Sequence, residues 1–317
     1  MLSFIHIAKN TLRESLRDPL YVILLTSALF MIGLFPNVSF FVFRQQVKLI
    51  LDSSLATMMV FGFAISILCA SQTVSREIKQ GTVFLLLSKP VPRWSFILAK
   101  QLGIMCALVI FVLCCSAATI IALKIGKDQF RTNNMLAIMY FGVIFISALA
   151  GGIRNFVSNR SFASTTTICL AVLLPLLAVV SQLSTSMKSS PNAPELVNIL
   201  TAQLLALFSI LTIGAIATTI STKFGVFQTL IFSTVIFSCG LANSYIFTQL
   251  NQINHTIAMM FKTMIPNWQF FWLVDALGSK IDIPLEYVTH AFLYMIVYIT
   301  ICTVWSIYIF REREIAA

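Results

Sequence analysis

Long apolar runs separated by short polar breaks organise this 317-residue chain. Residues 19–35, 54–75, 96–125, 135–152, 162–183, 196–222, 226–250 and 287–310 are each apolar and long enough, or nearly so, for a helix to cross a bilayer. The pattern predicts an all-α polytopic membrane protein, with eight crossings if every run spans. Ahead of the first run, Lys9, Arg13 and Arg17 recur every four residues, while Ile5, Ala8, Leu12 and Leu16 follow the opposite stripe. That spacing predicts an amphipathic helix over 1–18 lying in the inner headgroup layer. A cleavable signal would place its charges before a short apolar core and end at a small-residue site, and neither feature is present.

The most polar break is 76–100, REIKQGTVFLLLSKPVPRWSFILAK. It holds Arg76, Lys79, Lys89, Arg93 and Lys100 against a single acid, Glu77. Basic residues concentrate in cytoplasmic loops, so this segment is assigned to the cytoplasm. Gly81 permits a bend where a span ends, Thr82 is a capping residue, and Val83 to Leu87 form an apolar patch able to dock into a groove. Pro90 and Pro92 stop that element just before the next helix begins. The reading is helix, elbow, helix.

Composition agrees with the pattern. With 58% hydrophobic and 10% charged residues, and a mean hydropathy of +0.92, the chain has too little polar surface for a water-soluble globule of this length. Its formal charge of +10 sits in short loops between spans, which reads as membrane topology and not as a nucleic-acid surface. With eight spans, 13 of the 21 Lys and Arg fall on inner segments and the other eight on outer ones, so both termini are expected inside. The seven cysteines all lie within apolar runs and have no metal or disulfide spacing.

The order Glu77, Gly81, Thr82, Leu86, Leu87, Ser88, Lys89, Pro90, Val91, Arg93, Lys100 resembles the loop after the second span of bacterial ATP-binding-cassette (ABC) type-2 permeases. The final stretch is similar to the end of the same permeases: Pro266, an aromatic run, Asp275, a last span and a terminal Arg/Glu cluster. Together these cover about a third of the chain; the middle matches only in hydropathy. The resemblance implies a permease subunit of an ABC exporter in the inner membrane. Its coupling contact, within 76–95, would be carried by Glu77, Gly81, Thr82, Leu86, Lys89, Pro90 and Arg93. It further implies a separate nucleotide-binding ATPase subunit that holds ATP and magnesium, a homodimer or heterodimer of permeases, and no cofactor on this chain. The helix over 1–18 is then either an elbow beside the coupling surface or a topology anchor. The transmembrane unit is 19–310 and the tail 311–317. The family more often has six spans, so one pair is an addition or a re-entrant pair. The alternative reading is a non-transporting scaffold that anchors an ATPase for assembly or mechanical work.

No GxxxxGK[ST] loop occurs, so ATP is not expected on this chain through a P-loop, and His6, His255 and His290 lack acidic partners at ligand spacing. The spans hold almost no charge away from their ends, which argues against an ion-coupled carrier. Ser66, Thr119, Ser147, Thr201 and Asn243 are candidates either for lining a route or for packing helices through hydrogen bonds. In the outer segment 251–286, Trp268, Phe270, Phe271 and Trp272 are expected at headgroup depth as an aromatic belt. The cargo is left open among lipid, peptide, drug, ion and polysaccharide.

Overall fold

The computed structural model describes residues 2–38, 46–75, 93–128, 131–183, 195–273 and 283–313. The first helix, α1 (Leu2–Arg17), is followed by α2 (Pro19–Val38), α3 (Gln46–Ala70) with a π-helical turn at Ser71–Ser75, and α4 (Arg93–Ile125). A two-stranded antiparallel ribbon, β1 (Gly126–Asp128) and β2 (Arg131–Thr132), leads to α5 (Asn134–Ser158), α6 (Phe162–Leu183) and α7 (Leu196–Lys223). Then come α8 (Val226–Leu241), α9 (Asn243–Ile253), α10 (His255–Met264), a 3-10 turn (Trp268–Phe271) and α11 (Leu285–Arg313). Among the described residues seven helices are long and apolar enough to cross a membrane, or eight if the bent pair α8 and α9 is one span.

The centre of the bundle is α3, α4 and α7. Of its span, α7 has 72% buried, whereas α11 has 17% and α5 22%, so the last two form the periphery. Small residues let the central helices meet closely. A Cβ on Gly62 of α3 would lie 2.5 Å from Ile210 Cδ1 of α7, and one on Gly214 of α7 would lie 2.8 Å from Leu108 Cδ1 of α4. Two buried tyrosines tie α2 in: Tyr21 donates to the Ala107 carbonyl at 2.8 Å and Tyr140 to the Leu29 carbonyl at 2.6 Å. These hydroxyls would otherwise be unpaired in an apolar interior.

At 33 residues, α4 is about 50 Å long, well beyond the roughly 30 Å hydrocarbon core. Its two buried lysines, Lys100 and Lys124, are about 36 Å apart along the axis. Each donates to a carbonyl near the C-terminal end of another span: Lys100 Nζ to Thr73 O beyond α3, and Lys124 Nζ to Ser181 O of α6. Helix C-termini carry unmade acceptors and partial negative charge, so an ammonium is well matched there.

The second span begins at Gln46, eight residues before the expected Ser54, so Lys48 and Asp52 lie inside α3 and are half-buried. These charges at helical spacing mark a helix and not the end of one. The span expected over 226–250 is a bent pair, α8 and α9 meeting at 73°. The bend is held by Asn243, whose Nδ2 donates to Ile265 O at 2.8 Å, and by Trp268, whose Nε1 donates to Phe237 O at 3.1 Å. Gly240 makes room for the indole: a Cβ there would be 2.3 Å from Trp268 Nε1 and 2.5 Å from Pro266 O. Trp268 and Phe271, expected in an interfacial belt, are 1% and 2% exposed and pack against Leu205, Phe208, Ala291 and Met295 of α7 and α11.

Candidate functional site

The first helix sits across one end of the bundle, on the N-terminal half of α4 and beside α6. Its contact face mixes small polar and apolar residues: Thr11 and Ser15 are buried together with Leu16, whereas Ile5 is 61% exposed. Gly103 is what admits the close approach. A Cβ there would come within 2.7 Å of the Ala8 carbonyl oxygen and of Thr11 Cβ. The stripe of Lys9 and Arg13 remains exposed, as does Arg17.

The same end gathers the C-terminal ends of α3, α7 and α11. Phe96 of α4 stacks on Phe310 of α11 with centroids 5.9 Å apart, and Ile7 of α1 packs against the cluster they form with Ile97. Lys100, 2% exposed, reaches across to the Thr73 carbonyl, and its ammonium lies 5.2 Å from the centroid of the Phe96 ring. Such a contact with a ring face is attractive and stronger where water is excluded. One residue further along α4, Gln101 Oε1 accepts from Thr303 Oγ1 of α11 at 2.8 Å. At the neighbouring position of α11, Thr219 Oγ1 of α7 donates to Cys302 O at 2.9 Å. Four span ends are thus joined by side-chain hydrogen bonds in a low-dielectric setting.

The π-helical turn closes α3 at this end. Thr73 Oγ1 donates back to Cys69 O at 2.5 Å and Ser71 Oγ to Leu68 O at 3.1 Å. Hydroxyls that bond to their own helix compete with the regular ladder, and π-turns of this kind recur at functional positions.

Of the expected coupling residues, Glu77, Gly81, Thr82, Leu86, Lys89 and Pro90 lie outside the described residues, and Arg93 is the first residue of α4. The described chain leaves them at Ser75 and resumes at Arg93, so both flanks belong to the end that carries α1. Sequence reasoning did not single out Thr73, Gln101 or Thr303 as site residues. Lys100 did carry a signal, a lysine about one turn inside the apolar run 96–125. Gln101 and Thr303 are 202 residues apart, and no local pattern links them.

The polar candidates within the spans mostly serve their own helices. Ser66, Thr119, Ser147 and Thr201 donate to Phe63, Cys115, Val143 and Val197 carbonyls three or four residues back. Asn243 is the exception, bonding across to Ile265.

A family model described as ABC-2 family transporter protein matches residues 5–315. The chain belongs to the ABC-2 transporter family. No curated protein matches it. As an ABC-2 permease it is the membrane component of an ABC-type system and a multi-pass membrane protein, and the family generally works with a separate ABC ATPase subunit. The joined span ends around Thr73 and Lys100 therefore flank the segment 76–92 of an ABC-2 permease.

Proposed function

We propose that this ABC-2 permease is the membrane half of an exporter in the inner membrane, and that its ATPase partner drives it through residues 76–92. In this reading Glu77, Gly81, Thr82, Leu86, Lys89, Pro90 and Arg93 make the coupling contact, and ATP with magnesium is bound by the partner. The observation that carries it is the hydrogen bond from Lys100 to Thr73 O. It clamps the two helices between which the segment runs, so a displacement of the segment acts on α3 and α4 together. Through Gln101 and Thr303, and then Cys302 and Thr219, the same displacement reaches α11 and α7. The functional unit is a dimer of permeases on two ATPase subunits, with substrate passing where the permeases meet.

The end carrying α1 faces the cytoplasm. Lys9, Arg13, Arg17, Lys100 and Lys223 belong to it, and short cytoplasmic segments hold the excess of basic residues. Both α1 and the last turns of α11 are at that end, so both termini are cytoplasmic.

The test is recovery of the solubilised protein from its native membrane, with identification of what accompanies it and an ATPase assay, against Glu77→Arg. A P-loop ATPase that accompanies the wild type and is lost from the variant supports the assignment. If no ATPase accompanies either protein, the coupling reading fails.

A further inference from the structure

A cavity of about 520 Å³ opens between α1 and α4 at the end that carries α1. That volume is in the range of small-molecule sites, about 300–1,000 Å³. Among the described residues its wall is made chiefly by His6, Lys9, Asn10 and Arg13 of α1 and by Phe96 and Lys100 of α4, and none of the described lining residues is a carboxylate. The two acids on and just after α1, Glu14 and Asp18, are not among the lining residues.

We propose that this cavity binds the phosphate diester of an anionic glycerophospholipid. Lys9 and Arg13 are four residues apart and so share one face of α1, with the buried Lys100 on the facing helix. Cationic side chains gathered around a concavity focus a positive potential there, which favours an anion. The arginine supplies a planar fork suited to two phosphate oxygens, the lysine a mobile point charge, and Asn10 an amide donor. The ammonium of Lys100 is already held, by the Thr73 carbonyl and over the Phe96 ring, so its position costs little ordering on binding.

The apolar part of the wall selects an amphiphile over a bare ion. Phe96 and Ile7 both line the cavity and belong to one apolar cluster, so the cationic rim surrounds an apolar floor. An amphipathic helix at headgroup depth meets phosphate esters and acyl chains together, as this lining requires. Only the choice of leaflet, the cytoplasmic one, rests on the topology proposed above; binding itself does not depend on transport or on the ATPase partner.

The experiment uses the full chain in phosphatidylcholine nanodiscs with and without added phosphatidylglycerol, and native mass spectrometry to count retained lipid. The wild type is expected to retain phosphatidylglycerol in preference to phosphatidylcholine. The double variant K9Q/R13Q is expected to retain it about 30-fold more weakly, the loss of two basic contacts near an anionic headgroup. N10W keeps every charge but fills the cavity, and it is expected to lose the lipid as well. K223Q, a basic residue at the same end but outside the cavity wall, is expected to behave as wild type. Equal loss in K223Q, or wild-type retention in N10W, would overturn the proposal in favour of diffuse attraction to the surface. Displacement of the lipid by millimolar inorganic phosphate would also overturn it, identifying a site for the free anion.

Discussion

Lys100 Nζ of α4 donates to the main-chain carbonyl of Thr73, across the gap between α4 and the π-helical turn after α3. The two residues are 27 apart in sequence, and the segment 76–92 lies between them. Replacing the lysine by an isosteric apolar residue leaves a buried carbonyl without its charged donor. Lys100→Met is expected to insert normally and to lose about 1.5–3 kcal/mol of stability, the usual worth of a hydrogen bond to a charged group. Thermal unfolding in detergent checks this. An unchanged Tm would mean that the bond does not hold the two helices together.

Gly81→Pro tests the coupling segment without touching any helix described above. Membrane levels and ATP hydrolysis by the assembled complex are expected to persist, while transport falls towards background. The measurement is the ratio of substrate moved to ATP hydrolysed. Transport at the wild-type ratio would move the coupling contact elsewhere.

Gly103 and Gly142 make a matched pair. A Cβ on Gly103 would collide with the backbone of α1, whereas one on Gly142 has nothing within 4 Å. Gly103→Val is therefore expected to lift α1 from α4 and to raise amide hydrogen exchange over residues 2–17, with the spans still protected. Gly142→Val should be silent in the same experiment. If exchange over 2–17 is the same in both, α1 does not depend on this approach.

Gly240→Ala places a methyl group against Trp268 and the Pro266 carbonyl. Overpacking of a filled interior costs about 1–3 kcal/mol. The indole is also expected to lose its bond to Phe237 O and to move toward a more polar setting, read as a red shift in its fluorescence. An unshifted spectrum at unchanged stability would show that the bend between α8 and α9 tolerates the extra atom.

Hydropathy alone made the spans legible, because twenty or so apolar residues in a row have few other places to be. The limits at 162–183 and 196–222 agree with α6 and α7 to within a residue. The start of α3 was not legible, since Lys48 and Asp52 lower local hydropathy while helical geometry lets them stay half-buried. Apolarity likewise does not separate lipid-facing from protein-facing residues: Trp268 and Phe271 face α7 and α11, as Leu205 and Met295 show by packing on them. At the candidate site, the coupling role expected of Gly81, Pro90 and their neighbours rests on order along the chain alone, and those residues lie outside the described ones. The contacts beside them could not, because Lys100 with Thr73 and Gln101 with Thr303 join residues far apart in sequence through single atoms.

The lysines at the two ends of α4 constrain how this helix can move. Sliding along its own axis would pull Lys100 from Thr73 at one membrane face and Lys124 from Ser181 at the other, breaking two charged bonds in one step. Tilting or swinging with α3 and α6 as passengers keeps both. A screw or piston stroke is thereby disfavoured, and the permitted coordinate for α4 is a rocking one in which three helices travel as a single lever.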